Sequence, residues 1–227
     1  MSNKVYLAFD IDGTIYKADQ IVFPAFQEGI KKFIETRNLQ LQEPSSENII
    51  KLLGLPVKEI FKKLFPTLNR KDQSLLAESC NNSLADQIYQ KKGQLIDDVP
   101  NTLELLYKKN YTLLAASNGK PQYILSILKS FDLIQYFSEP ILFLNEKIKD
   151  KNELIKTYKN ELTANNLLIM IGDRFTDKEA ALNNKIPFIG CNFGYDQNNE
   201  IAGSKWIVNR FKEIPNAIKA VEKSSNF

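Results

Sequence analysis

Apolar positions along the chain follow two alternating patterns. Some form short continuous runs bounded by turn residues, which predicts buried β-strands, and others recur every three or four residues, which predicts amphipathic helices. The predicted strands are 5–9, 111–116, 140–144, 167–171 and 186–190, with 206–208 as a further candidate. The predicted helices among them are 101–109, 121–131, 152–162, 177–184 and 213–223. This alternation predicts a doubly wound α/β fold, in which helices cover both faces of a parallel sheet.

One long segment after the first strand shows only the helical pattern. Its predicted helices are 23–37, 46–53, 57–65 and 69–90, and it contains no strand-like run. We therefore expect a small helical bundle that is inserted into the α/β core as a cap. The expected core domain comprises residues 1–15 and 92–227, and the expected cap domain comprises residues 16–91.

Composition excludes several classes of protein. The 227 residues carry a formal net charge of +3, and no dense basic run suggests nucleic acid binding. No apolar run approaches the roughly 20 residues that a membrane span needs, and the N-terminus lacks the pattern of a secretion signal. Cys80 and Cys191 lack a paired spacing, which favours free thiols in a reducing compartment. We expect a cytoplasmic protein that binds neither nucleic acid nor membranes; its oligomeric state stays open.

The chain contains no histidine. This excludes Ser–His–Asp hydrolysis, Cys–His proteolysis and zinc sites with histidine ligands. Any catalysis must therefore use carboxylates, hydroxyls, lysines or a hard metal ion.

Polar residues follow three of the predicted strands. They are Asp10 and Asp12 after the first, Ser117, Asn118 and Gly119 after the second, and Asp173 and Asp177 after the third. Because parallel strands end at the same edge of a sheet, we expect these residues in one crevice. A lysine cluster, Lys147, Lys149 and Lys151, lies between the second and third of these groups, just before a predicted helix.

This mixture of side chains suits phosphoryl transfer with Mg²⁺. Mg²⁺ prefers oxygen ligands, usually one or two carboxylates with water and a substrate phosphate. Asp10 and Asp173 can supply carboxylates, and Asp12 can supply a main-chain carbonyl. One carboxylate can attack phosphorus, and a second can act as general acid and base. The hydroxyl and N–H groups after the second strand, with a lysine, can hold the charge of the transferred group.

The chain resembles the haloacid dehalogenase-like hydrolase superfamily in three motifs that occur in order. Residues 10–14 (DIDGT) match its first motif, DxDGT, and Ser117 after an apolar strand matches the second. Residues 172–177 match the fourth motif. Residues 53–56 and 98–103 resemble the branch with a helical cap after the first motif, to which phosphoglycolate-phosphatase-like members belong.

The resemblance implies a role for each motif residue. Asp10 is implied as the nucleophile and a Mg²⁺ ligand, and Asp12 as the general acid/base that gives its carbonyl to the metal. Ser117 is implied as the phosphate-binding hydroxyl. Asp173 is implied as a metal ligand and Asp177 as a support for the metal or its waters, although Asp177 can also cap the following helix.

The third motif of the superfamily, which carries a lysine, departs from its usual form because no proline follows any lysine of the cluster. The distance along the chain to the apolar pair at 154–155 favours Lys149, with Lys151 second and Lys147 third. The expected phosphate-binding residues are therefore Ser117, Asn118, Gly119 and Lys149.

An acid at position 12 argues against the dehalogenase and phosphonatase members of the superfamily, which do not keep one there. We expect Mg²⁺-dependent hydrolysis of a small phosphomonoester, similar to phosphoglycolate, through an aspartyl-phosphate. The expected partner is a small phosphorylated metabolite. The alternatives are a phosphomutase of the β-phosphoglucomutase type, a pyrophosphatase and a non-catalytic phosphate-binding module.

Overall fold

A five-stranded parallel sheet forms the centre of the molecule. The computed structural model describes residues 4–37, 41–52, 55, 57–195 and 199–225. The strands are β1 (Val5–Phe9), β2 (Thr112–Ala115), β3 (Leu167–Gly172), β4 (Phe188–Cys191) and β5 (Trp206–Val208). Their order across the sheet is β2-β1-β3-β4-β5. The α/β prediction is confirmed.

The central strand is β1, which pairs with β2 on one side and with β3 on the other. Phe9, its last residue, lies opposite Ala115 and Ile171, so the three strands end at the same level. Four of the five residues of β1 are buried, because helices cover both faces of the sheet. This double covering explains why the strand is apolar throughout.

Five α-helices accompany strands β2 to β5 along the described chain. They are α5 (Val99–Lys108), α6 (Pro121–Ser130), α7 (Lys151–Asn160), α8 (Phe175–Asn183) and α9 (Ile214–Ser224). The predicted strand at 140–144 is wrong, since this segment lies outside regular secondary structure. The main-chain N–H of Leu142 donates to the Tyr158 hydroxyl (3.1 Å) instead of to a neighbouring strand.

The segment between β1 and α5 is helical, as the pattern predicted. Its helices are α1 (Asp19–Arg37), α2 (Ser46–Ile50), α3 (Val57–Leu64) and α4 (Arg70–Tyr89). The longest, α1 and α4, pack against each other, and their apolar faces continue the core that covers the sheet. The division into core and cap domains stays a prediction. Of the stretch 53–56, which carries part of the resemblance to capped proteins, all but Leu55 lies outside the described residues.

Two chain segments connect this helical part to the sheet. They run side by side: Ile96 N–H donates to the Ile15 carbonyl and Lys17 N–H to the Gln94 carbonyl, both at 2.8 Å. The hydroxyl of Tyr16 donates to the Lys92 carbonyl at 3.0 Å and fixes the same junction. No helix within the described ranges has the length and apolar character to cross a membrane.

Candidate active site

The ends of β1, β2 and β3 meet at one edge of the sheet, and the polar residues begin just beyond them. The main-chain N–H of Asp10 donates to the Ile171 carbonyl (2.9 Å), and that of Ala116 donates to the Phe9 carbonyl (2.8 Å). The hydrogen-bond ladder of the sheet therefore continues as far as Asp10 and Ala116, the residue before Ser117. This register brings residues of the first, second and fourth motifs to the same edge.

A buried lysine lies between two carboxylates at this edge. Lys151 Nζ is 2.7 Å from Asp10 Oδ1 and also donates to Asp177 Oδ1. Lys151 and Asp10 are each only 3% exposed. Burial disfavours the charge of Lys151, but attraction to the two carboxylates outweighs it and raises its pKa. A buried ammonium is stable only with such partners.

Lys151, and not the predicted Lys149, is therefore the lysine at the carboxylates. The reason is the start of α7: Lys151 is its first residue, and Asp150 caps it by accepting from the Glu153 N–H (2.8 Å). Lys149 precedes the cap, and its side chain is exposed, as is that of Lys147. The sequence pattern placed the start of this helix at 152, one residue too late, and the spacing to the apolar pair at 154–155 then ranked Lys149 first.

The other predicted phosphate-binding residues follow β2. Ser117 is buried, and its Oγ accepts from the Gly119 N–H at 3.0 Å. Asn118 is also buried. Asn118 and Gly119, together with Lys149, line a cleft of about 770 Å³ outside the strand ends. The hydroxyl thus lies at the inner end of a loop that opens onto a cleft large enough for a small molecule.

Asp173 is buried and is held by neutral donors. Thr14 Oγ1 donates to its Oδ1 at 3.0 Å, and the Tyr195 N–H donates to its Oδ2 at 2.5 Å. The Tyr195 hydroxyl in turn donates to Asp19 Oδ1 (2.6 Å) at the start of α1. Asp173 is therefore connected through one residue to the first helix of the predicted cap.

Asp177 has a structural role that the sequence also suggested. Its Oδ2 accepts from the Arg174 N–H at 2.9 Å and so caps α8, while its Oδ1 accepts from Lys151. Because one of its oxygens accepts from an ammonium and the other caps α8, Asp177 is less suited than Asp173, which has only neutral donors, to bind a cation directly.

Two glycines make the close packing of these acids possible. A Cβ at Gly172 would lie 2.3 Å from Asp177 Cγ. A Cβ at Gly13 would lie 2.3 Å from Asp173 Oδ2, and the φ of Gly13 is +77°, a conformation that favours glycine. The first and fourth motifs thus require glycine at these two positions, because the neighbouring acids leave no room for a side chain.

The carboxylates of Asp10, Asp173 and Asp177 form a cluster that suits a hard metal ion. Each offers an oxygen, and these oxygens lie within 4.8 Å of one another. Burial, followed by repulsion from Asp177, raises the pKa of Asp173 to about 7 and holds that of Asp10 well above its ordinary value. A divalent cation would favour the ionised forms, and an oxygen donor set fits Mg²⁺.

Asp12 has different surroundings from Asp10. Its Oδ1 accepts a hydrogen bond from the hydroxyl of Tyr123, the third residue of α6. Burial raises the pKa of Asp12 to about 6, although the bond from Tyr123 and the charge of Lys151 both lower it. The two acids of the first motif are therefore distinguished by their partners: an ammonium for Asp10 and a phenol for Asp12.

Sequence reasoning missed Tyr123 and Tyr195. The hydroxyl of each contacts an acid far away along the chain, at a separation of 111 residues for Tyr123 and Asp12 and 176 residues for Tyr195 and Asp19. No local pattern marks either tyrosine, because both contacts depend on how the helices and loops pack.

Beyond the ends of the strands, the structure brings together buried carboxylates, a lysine from the start of α7 and a serine hydroxyl. These groups can together support phosphoryl transfer. The sequence model of the haloacid dehalogenase-like hydrolase family matches residues 7–191. The chain belongs to this family, and it is a hydrolase of the phosphatase type.

Several known proteins are similar to this chain. A pyrophosphatase PpaX from Listeria welshimeri is 26% identical over 180 residues, which cover 78% of each chain. A phosphoglycolate phosphatase from Aliivibrio fischeri is 31% identical over 127 residues, which cover 53% of this chain and 56% of the relative. The crystal structure of a "predicted phosphatase" from Clostridium acetobutylicum superposes with a TM-score of 0.75 at 23% identity, over 96% of this chain and 100% of that one.

Proposed function

We propose that this protein is a Mg²⁺-dependent phosphatase that hydrolyses a small phosphomonoester through a phosphoryl group carried on Asp10. The observation that supports this most strongly is the buried cluster in which Lys151 contacts Asp10 beside Asp173 and Asp177. This cluster combines a nucleophilic carboxylate, a positive charge for the phosphoryl oxygens and oxygen donors for a hard cation.

The transferred phosphoryl group would be held by Ser117 and Lys151. An ammonium has three N–H donors, and within the described part of the chain Asp10 and Asp177 accept two of those of Lys151. The third is available for a phosphoryl oxygen, as is the hydroxyl proton of Ser117. Lys149, which lines the cleft, would contact the rest of the substrate rather than the transferred group.

The two acids of the first motif would have different roles in the reaction. Asp10 attacks the phosphorus atom and carries the phosphoryl group, while Asp12 gives a proton to the leaving oxygen. Asp12 then accepts a proton from the water that attacks the phosphorylated Asp10. Bound Mg²⁺ would neutralise negative charge at the site, held by Asp10, Asp173 and the Asp12 carbonyl, with Asp177 in support.

The helices at 16–91 would act as the cap of this site. Glu59 of α3 lines the same cleft as Asn118 and Lys149, so this helical segment faces the strand ends. A cap that closes over the cleft would exclude bulk water during attack by Asp10 and readmit it for hydrolysis. We also propose a reducing, cytoplasmic setting, in keeping with the buried free thiols of Cys80 and Cys191.

A phosphoglycolate-like monoester is our first candidate substrate, because a relative named phosphoglycolate phosphatase matches about half of this chain. A diphosphate is the second candidate, because a relative named pyrophosphatase matches 78% of it. A cleft of about 770 Å³ has room for either.

A phosphate-release screen tests the proposal. The purified protein is incubated with phosphoglycolate, sugar phosphates, nucleotides, inorganic diphosphate and p-nitrophenyl phosphate, with Mg²⁺ or with EDTA. We expect Mg²⁺-dependent release from at least one monoester, lost in Asp10→Asn. Release from diphosphate alone would favour the second candidate, and no release from any compound would contradict the phosphatase proposal.

A further inference from the structure

The hydroxyl of Tyr123 is fixed against the carboxyl group of Asp12. Tyr123 is 5% exposed, and its hydroxyl donates to Asp12 Oδ1. Its ring packs on Gly119, where an added Cβ would lie 2.9 Å from Tyr123 Cδ1. Its carbonyl accepts from Ser126 Oγ at 2.7 Å, one turn further along α6. Ring, backbone and hydroxyl are thus all held, so the tyrosine can serve as a rigid support.

This hydrogen bond makes the two oxygens of Asp12 unequal. A phenol hydroxyl has one proton to donate, and here Oδ1 receives it. When the carboxyl group of Asp12 is itself protonated, its proton therefore belongs on Oδ2. The bond also restricts rotation of the carboxyl group, which would otherwise exchange its two oxygens.

We propose that Tyr123 is a positioning residue that orients Asp12 so that Oδ2 is the atom that exchanges protons during catalysis. This inference rests on the proposed phosphatase function. As Asp10 forms its bond to phosphorus, the bond from phosphorus to the leaving oxygen breaks, and the Oδ2 proton passes to that oxygen. In the second half, Oδ2 takes a proton from water, whose oxygen bonds to phosphorus as the bond to Asp10 breaks. The Tyr123 proton stays on its own oxygen throughout.

The test compares leaving groups in Tyr123→Phe, which keeps the ring and removes the hydroxyl. An alkyl alcohol needs a proton to leave, whereas p-nitrophenolate leaves without one. We expect the variant to lower kcat/KM about tenfold on alkyl phosphates and to leave kcat/KM on p-nitrophenyl phosphate within about twofold, because kcat/KM reports only the steps up to departure of the leaving group. An equal loss of kcat/KM on both substrates would mean a merely structural role and would overturn the inference.

A matched control removes a similar contact far from the site. The Tyr111 hydroxyl donates to Glu222 Oε1 at 3.1 Å. Tyr111 directly precedes β2, whereas Asp12 follows the end of the parallel strand β1, so the two lie at opposite edges of the sheet. Tyr111→Phe should leave both rates unchanged. Thermal unfolding of the two variants checks that each is folded.

A double-mutant cycle with Asp12→Asn shows whether Tyr123 acts through Asp12. If it does, Tyr123→Phe should change the residual activity of Asp12→Asn less than twofold, because the acid that it positions is already absent. If the activity losses of Tyr123→Phe and Asp12→Asn instead multiply in the double variant, the two residues act independently and the inference is overturned. A wild-type protein that releases phosphate from neither substrate would instead reject the proposed function itself, and the inference with it.

Proton NMR provides a readout that does not depend on activity or on the Tyr123 variant. We expect a downfield hydroxyl signal in the wild-type protein that shifts in Asp12→Asn and is retained in Tyr111→Phe. If no signal responds to Asp12→Asn, the hydroxyl is not fixed on the carboxyl group and the inference fails.

Discussion

Lys151 Nζ lies 2.7 Å from Asp10 Oδ1, and both side chains are almost completely buried. The pair links the start of α7 to the end of β1, the central strand of the sheet. Because an isolated buried charge is costly, each member stabilises the charged form of the other. The same contact places a positive charge next to the carboxylate that we propose as the nucleophile.

Replacement of Lys151 should therefore affect catalysis far more than replacement of Lys149. Lys151→Met removes the buried charge at Asp10, and we expect kcat to fall by about a hundredfold or more. Lys149→Met changes an exposed side chain at the cleft, so we expect an effect mainly on KM. Steady-state kinetics on the best substrate of the screen, with circular dichroism to confirm folding, provide the measurement. Equal losses of kcat in the two variants would contradict the assignment of Lys151.

The buried carboxylates should make the stability of the metal-free protein depend on pH. Burial raises the pKa of Asp12 to about 6, and burial with repulsion from Asp177 raises that of Asp173 to about 7. Both values lie above the roughly 4 expected in the unfolded chain, so the folded protein binds protons more tightly. Its free energy of unfolding should therefore fall as pH rises from about 4 through about 7, and the raised pKa of Asp10, caused first by burial, acts in the same direction.

We expect the metal-free protein to melt at a lower temperature at about pH 8 than at about pH 5.5. Mg²⁺ binds the ionised carboxylates, so it should raise the melting temperature more at the higher pH. Calorimetry with and without EDTA measures both effects, at about 2–4 °C per kcal/mol for a chain of this size. A melting temperature that rises with pH in EDTA, or that ignores Mg²⁺ at both pH values, would disagree with this account.

Gly172→Ala should disrupt the site by steric clash alone. The added Cβ would meet Asp177 Cγ at 2.3 Å, so the carboxylate that holds Lys151 must move. We expect a loss of about 1–3 kcal/mol in the free energy of unfolding together with a large loss of activity. Denaturant unfolding and kinetics measure the two effects.

The control for this variant is Gly203→Ala. Gly203 has a φ of +74° and no atom within 4 Å of an added Cβ. This change should cost about 1 kcal/mol of stability through backbone strain and leave activity intact. If Gly172→Ala behaves like Gly203→Ala, close packing at Asp177 is not important for the site.

The sequence was sufficient to predict most strands of the sheet and the edge at which the acids lie, and the physical reasons can be named. A strand buried on both faces must be apolar throughout, so the run at 5–9 could be recognised without any tertiary information. Parallel pairing then brings the residues after each strand to one edge, which predicted the neighbourhood of Asp10 and Asp173. The run at 140–144 is equally apolar but is bound by a side chain, Tyr158, which no pattern reveals.

The lysine and the tyrosines could not be predicted in the same way. Choosing between Lys149 and Lys151 required the exact start of α7, which the apolar pattern placed at 152 and which the Asp150 cap places at 151. The contact of Tyr123 with Asp12 joins residues 111 positions apart. Such contacts are decided by the packing of whole helices, so a single sequence carries no periodic trace of them.

In the proposed mechanism, Asp10 carries the phosphoryl group. The most direct measurement mixes the protein with its best substrate and Mg²⁺, quenches with acid within milliseconds to seconds, and maps the added mass by peptide mass spectrometry. We expect one phosphoryl group on the peptide that contains Asp10, present in Asp12→Asn and absent in Asp10→Asn. Normal turnover by Asp10→Asn, or a phosphoryl group trapped on any other residue, would contradict the role of Asp10 as nucleophile.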